Sequence, residues 1–251
     1  MFAAIYDSAW HSPLLFWLCG GLTLLLVCAR LPFLPAFCVL FTFNTCADVL
    51  STGALSVYPP AVAAGPWPQR LAIVFVVLGD WRFFLLVERA LCWERPRTPP
   101  GAHLRAALLA LIPSLASLPL LALLPRLLPH LPAGRLIFLT YEVLFLLVLP
   151  LWWRLLVLPR ARALDPALRR FLRALLAFEA LQYGSWALAD VIILAGYDAG
   201  FALRLVPNTL YYAAFVPFAY LLAPPVLRQA GGEPRAATEG LGVALPVQVG
   251  S

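Results

Sequence analysis

Lysine is absent from this chain of 251 residues; all 18 basic residues are arginine. A lysine Schiff base is therefore excluded, and with it retinal or pyridoxal phosphate held in that way. Histidine is scarce, limited to His11, His103 and His130 at segment ends or in loops. That argues against bis-histidine haem, a histidine-box di-iron centre and a histidine-rich zinc site. HExxH, GxSxG, Walker A and dinucleotide-binding glycine patterns are all missing, so no cofactor is expected. Charge is also scarce, at 12% of residues, where soluble domains run near a quarter. What replaces it is apolar: 63% hydrophobic residues and a mean hydropathy of +0.87. This composition excludes a disordered chain, an ordinary soluble enzyme and a nucleic-acid-binding domain, and it points to a polytopic, all-α membrane protein.

A bilayer core about 30 Å thick takes about 20 apolar residues in a helix. Seven stretches qualify, near 12–30, 33–53, 69–91, 103–125, 135–158, 168–195 and 201–223. The expected organisation is a seven-helix transmembrane domain over 1–227 and a disordered cytoplasmic tail over 228–251. No arginine precedes the first apolar segment, so it reads as a retained helix rather than a cleaved signal. Arginine asymmetry sets the orientation. With the N-terminus outside, thirteen arginines fall on the inner side, and Arg70, Arg126, Arg135 and Arg204 on the outer; Arg82 alone falls mid-membrane. Trp10, Tyr58, Trp67 and Tyr197 would anchor the outer interface, and Trp93, Trp152 and Trp153 the inner one. The net charge of +6 thus reads as a positive-inside bias, and no nucleic-acid partner is expected. The expected location is a cell membrane, most simply a bacterial inner membrane. Of the five cysteines, Cys19, Cys28, Cys38 and Cys46 lie in apolar segments; with Cys92 they form no metal-ligand spacing and read as small hydrophobes.

Seven segments with an outer N-terminus resemble the architecture of rhodopsins and G-protein-coupled receptors. Asp80-Trp81 is similar to the Asp-Trp pair of microbial rhodopsins, but the seventh segment has no lysine for retinal. Glu88-Arg89 is similar to a receptor's acidic-Arg pair, except that Ala90 follows where an aromatic residue belongs. No family is assigned. Prolines 113, 119, 125, 150, 207 and 217 each remove a helix hydrogen bond, giving either kinked packing or a discontinuous helix that offers carbonyls to a solute. Cys46-Ala47-Asp48-Val49 and Leu188-Ala189-Asp190-Val191 match in part, which reads either as an internal repeat pairing segments 1–3 with 5–7 or as chance. Ala180 and Gly184 form a small-xxx-small pair that would admit a close helix neighbour.

Polar residues at membrane depth carry the functional signal, because each ionisable group there costs about 2.5–3.5 kcal/mol on insertion scales. Glu179, Gln182, Tyr183, Trp186 and Asp190 share one helical face, as do Arg204, Asn208, Tyr211 and Phe215. Asn44 and Asp48 stand one turn apart. Such stripes should face the bundle interior. Asp48, Asp80, Glu142, Glu179 and Asp190 are the candidate coupling or ion site, with Arg82 as counter-ion. Arg82 lies about 200° around its helix from Asp80, so the two need not meet. Asn44, Gln182, Tyr183, Asn208 and Tyr211 would line a solute path, or serve as interhelical glue. Glu88 should pair with an inner arginine. Five carboxylates cannot all stay ionised against one arginine; some must be protonated, solvated or cation-bound.

The leading expectation is a proton- or cation-coupled transporter of a small solute. The others are a heptahelical receptor docking a cytoplasmic protein through basic inner loops, a histidine-free intramembrane lipid enzyme, and a structural accessory subunit. The partners expected are the lipid bilayer, a small solute, a proton or cation, and, for the receptor reading, that cytoplasmic protein.

Overall fold

The computed structural model describes residues 1–6, 41, 47, 67–95 and 98–229. The first two apolar segments, and with them Asn44 and Asp48, lie outside the described residues apart from Phe41 and Ala47. So does the tail from 230 onward, and half of the proposed repeat. The described residues are all-helical, with no strand among them. A short α1 (Phe2–Tyr6) is followed by α2 (Trp67–Leu91), α3 (Pro100–Leu127) and α4 (Ala133–Trp152). Helix α4 continues through a π turn (Trp153–Val157) into Leu158–Ala161. Then come α5 (Pro166–Leu194) and α6 (Ala199–Thr209), the latter continuing through a second π turn (Leu210–Ala214) into Phe215–Leu222. A final turn, α7, spans Pro225–Gln229.

Local chemistry sets the helix ends. Asp165 caps α5, its carboxylate accepting from Ala167 N at 2.7 Å, and Pro166 occupies the first turn, where its missing N–H costs nothing. Gly196, at φ +87°, ends the same helix in the left-handed conformation that glycine alone enters freely. Both π turns lie just before a proline. Pro159 crowds the carbonyl of Leu155 and Pro217 that of Ala213, four residues back. Each carbonyl falls inside a widened turn, closed by Leu158 N to Trp153 O in one case and Phe215 N to Leu210 O in the other. By contrast, α3 runs helical through Pro113, Pro119 and Pro125; each removes one bond without ending the helix.

Helix α5 lies between α4 and α6 and also touches α2; α2 packs on α3, and α3 on α4. The core is aromatic. Phe84 and Trp152 meet edge to face at 4.8 Å, and Phe145 stacks on Tyr183 at 3.8 Å. Trp152 is therefore a buried core residue, not the interfacial anchor that its position in the chain suggests. The close backbone approaches also differ from expectation. Among the described residues nothing lies within 4 Å of where a Gly184 Cβ would be, whereas a Cβ on Gly200 would meet Ala189 O at 2.7 Å and one on Gly79 would meet Tyr211 Oη at 2.7 Å.

Leucines face outward. Leu104, Leu108, Leu115 and Leu118 on α3, Leu147, Leu151 and Leu155 on α4, and Leu181 and Leu188 on α5 are each more than half exposed. Asp80, Glu142, Glu179 and Asp190 are buried. A protein folded in water shows the reverse. Three helical stretches, Pro100–Leu120, Gly134–Ala161 and Ala199–Leu222, are long and apolar enough to cross a membrane. Helices α2 and α5 are of spanning length, at 25 and 29 residues, and hold most of the buried charged groups, Asp80, Arg82, Glu88 and Arg89 on α2 and Glu179 and Asp190 on α5.

Candidate functional site

The central group forms where α2, α4, α5 and α6 converge. Asp80 of α2 accepts one phenol on each carboxylate oxygen, Tyr141 of α4 on Oδ2 and Tyr183 of α5 on Oδ1. Glu179, one turn before Tyr183, is buried with Asp80 and Arg82 in electrostatic reach. It has no hydrogen-bond partner among the described residues. Arg82 turns to the other side of α2. Its Nε donates to Gly79 O at 3.1 Å, and its guanidinium lies 3.2 Å from the Phe41 ring centre and 4.5 Å from that of Tyr211. The angular separation expected from sequence thus places Asp80 and Arg82 in different surroundings. Trp186 Nε1 donates to Asn208 Oδ1 at 2.7 Å, tying α5 to α6, and Gln182 Oε1 is buried without a partner among the described residues.

A second group forms at the end of the bundle where α5 turns into α6. Arg204 of α6 is buried; its Nη1 donates to Asp190 Oδ1 and lies 3.7 Å from Glu142 Oε1. Arg135 of α4 reaches the same Asp190 oxygen at 3.4 Å. Asp190 Oδ2 and Glu142 Oε2 are buried without partners among the described residues. Arg204 Nε donates to Tyr6 Oη at 3.2 Å, so α1 covers this group. The expectation of a single deep cation is corrected here. Arg204, counted from sequence with the outer-surface arginines, is buried, as are Arg82 and, at the end of α2, Arg89, and it is paired to two of the five carboxylates.

Asp198 fastens α1 in place. Its carboxylate accepts from the Met1 amino group at 2.9 Å, Phe2 N at 2.8 Å and Ala3 N at 3.0 Å. The bond to the amino group, followed by those from Ala3 and Phe2, lowers its pKa from 3.8 to about 2. Because the folded value is depressed, the stabilisation is fully present above pH 3.8. It fades as pH falls towards 2. Hydrogen exchange should therefore show Phe2 and Ala3 amides protected at pH 5 and progressively less so below pH 3.8, after correction for intrinsic rates; Asp198→Asn should remove most of that pH dependence.

The third group lies at the opposite end. Glu88 receives Arg105 Nη2 at 2.6 Å and both terminal nitrogens of Arg160 at 2.8 and 3.1 Å, joining α2, α3 and α4. Its pairing with arginine matches the sequence expectation. Arg89 donates to Cys92 O and Arg95 O, closing the end of α2.

Asp80, Glu179 and Tyr183 are thus brought together in the interior, while Arg82 lies on the other side of α2 over Tyr211 and Asn208 is tied to Trp186. Glu142 and Asp190 belong to the separate arginine-paired group. Sequence inspection misses Tyr141, a single tyrosine in an apolar run. Its only signal is its place one turn before Phe145, on a face that proves to be buried. No protein-family model, curated protein or solved structure matches the chain.

Proposed function

We propose that this protein is a seven-helix transporter of the cell membrane, N-terminus outside and C-terminus in the cytoplasm. A proton or cation held at Asp80 and Glu179 drives the movement of a small solute. The observation carrying this reading is the pairing of two buried carboxyl groups whose surroundings differ. Asp80 has two phenol donors, the surroundings of a held anion. Glu179 has none, the surroundings of a group that exchanges its charge partner. Among the described residues, Arg82 is the cation in electrostatic reach of both carboxyl groups. A row of polar groups also leads outward. Tyr141 and Glu142 are consecutive on α4, about 100° apart, so one faces Asp80 and the other Arg204. On α5, Glu179, Tyr183 and Asp190 extend over about 16 Å of rise. Carboxyl and phenol groups therefore line the interior from the Asp198 end to mid-bundle. Asn208, Gln182 and Tyr211 would contact the solute.

Thermal stability of the purified protein across pH and a panel of monovalent and divalent cations tests this. Wild type should show a pH- or cation-specific gain in Tm; a cation at 100 times its Kd stabilises by about 2.7 kcal/mol. Glu179→Gln and Asp80→Asn should each abolish that gain. The same dependence in wild type and both variants would overturn the reading and leave the carboxyl groups as packing elements.

A further inference from the structure

We propose that the Glu88 end of the bundle carries a binding site for anionic phospholipid, built from Arg154, Arg162, Arg170 and Arg173. All four side chains are exposed, and none makes an ion pair among the described residues. They sit within about two turns of the short link between α4 and α5, and so at one level of the bundle. Each pair ends an apolar stripe. The exposed positions of α4 and its C-cap include Leu147, Leu151, Arg154, Leu155, Leu158 and Arg162; those of α5 include Leu188, Leu181, Ala177, Arg173 and Arg170. Leucine covers the middle of each helix and arginine its end.

Charge complementarity names the occupant. Glu88 is consumed by Arg105 and Arg160, and the Asp165 carboxylate by the start of α5. Glu94, exposed at the same end, pairs with none of them, so among the described residues these four guanidiniums have no carboxylate partner. A guanidinium fork fits a phosphodiester in two-point fashion, and the leucines above it fit acyl chains. A lipid satisfies both halves of the surface; a soluble phosphate satisfies only the arginines. The inference rests on the bundle lying in a bilayer and is independent of the Asp80–Glu179 site.

The test is native mass spectrometry of the full chain released from nanodiscs of equal phosphatidylglycerol and phosphatidylcholine. Wild type should retain phosphatidylglycerol in clear excess. At about fivefold per arginine near an anionic headgroup, Arg170→Gln/Arg173→Gln and Arg154→Gln/Arg162→Gln should each lower that excess by about tenfold or more. Arg170→Lys/Arg173→Lys should keep most of it, and Arg126→Gln, at the other end of α3, all of it. Equal retention of the two lipids by wild type would overturn the proposal, as would an unchanged excess in the combined four-residue variant or an equal loss in Arg126→Gln. Displacement by glycerol 3-phosphate at matching concentration would also overturn it, because the phosphate alone would then suffice. A chain that fails to enter nanodiscs would fail the membrane reading itself; one that enters without lipid preference fails only this proposal.

Discussion

Arg204→Met is expected to destabilise the protein by about 3–5 kcal/mol, the usual consequence of removing one partner from a buried ion pair. Asp190 is fully buried, and Arg204 is its nearest cation. Arg135, at 3.4 Å and more exposed, reaches the same oxygen but forms no ion pair with Glu142, which Arg204 approaches at 3.7 Å. Methionine keeps much of the arginine's volume, so the loss would report charge rather than a cavity. The companion variant separates the two. In Glu142→Gln/Asp190→Asn/Arg204→Met no buried charge is stranded at these positions, and most of the lost stability should return. Reversible denaturant unfolding in mixed micelles measures both. A single variant that unfolds like wild type would show that the group is hydrated and its pairing of little consequence.

Gly200→Ala should be the most damaging conservative change in the described part of the chain. Its Cβ would lie 2.6 Å from Ile193 Cγ1, 2.7 Å from Ala189 O and 2.8 Å from Ile193 N. Two of those atoms are backbone of α5, so the clash is relieved only by moving α5 from α6. Overpacking of this kind costs about 1–3 kcal/mol. The shift would also separate Asp190 from Arg204, adding to the loss. Gly184→Ala, on the same helix as Asp190 with no described residue within 4 Å of the new Cβ, should instead be neutral or stabilise by up to about 1 kcal/mol, since alanine favours helix over glycine. Tm values of the two variants give the comparison, and a Gly200→Ala protein as stable as Gly184→Ala would refute the close packing.

Reading glycines in sequence leads to the wrong one of this pair. Gly184 stands four residues from Ala180 and fits a small-residue pattern, while Gly200 looks like part of a loop with Gly196. Spacing along one helix says which residues share a face; it does not say whether another helix is near. The same limit explains Trp152. Its place near a segment end suits an interfacial anchor, yet Phe83 and Phe84 of α2 enclose its ring. Arg204 was misplaced for a related reason. Counting arginines by distance from an apolar segment treats the start of α6 as surface, but α1 folds back over Arg204 in its second turn and Asp198 holds α1 there.

Composition alone establishes the all-helical class, because a chain with so few charges and so many leucines can bury its backbone polar groups only in helices or closed barrels, and its apolar runs are of helix length. Periodicity alone places Glu179, Gln182, Tyr183 and Asp190 on one face, and all four are buried. Both are local properties, set by residues within a few turns of one another. Which group each carboxylate meets is decided by packing. Asp80 lies with Tyr141, 61 residues on, and Tyr183, 103 residues on; Glu142 and Asp190 are drawn off to Arg204. Those pairings depend on how α2, α4, α5 and α6 are rotated and set in depth against one another. No single helix encodes that arrangement, since it follows from fitting the side chains of all four at once.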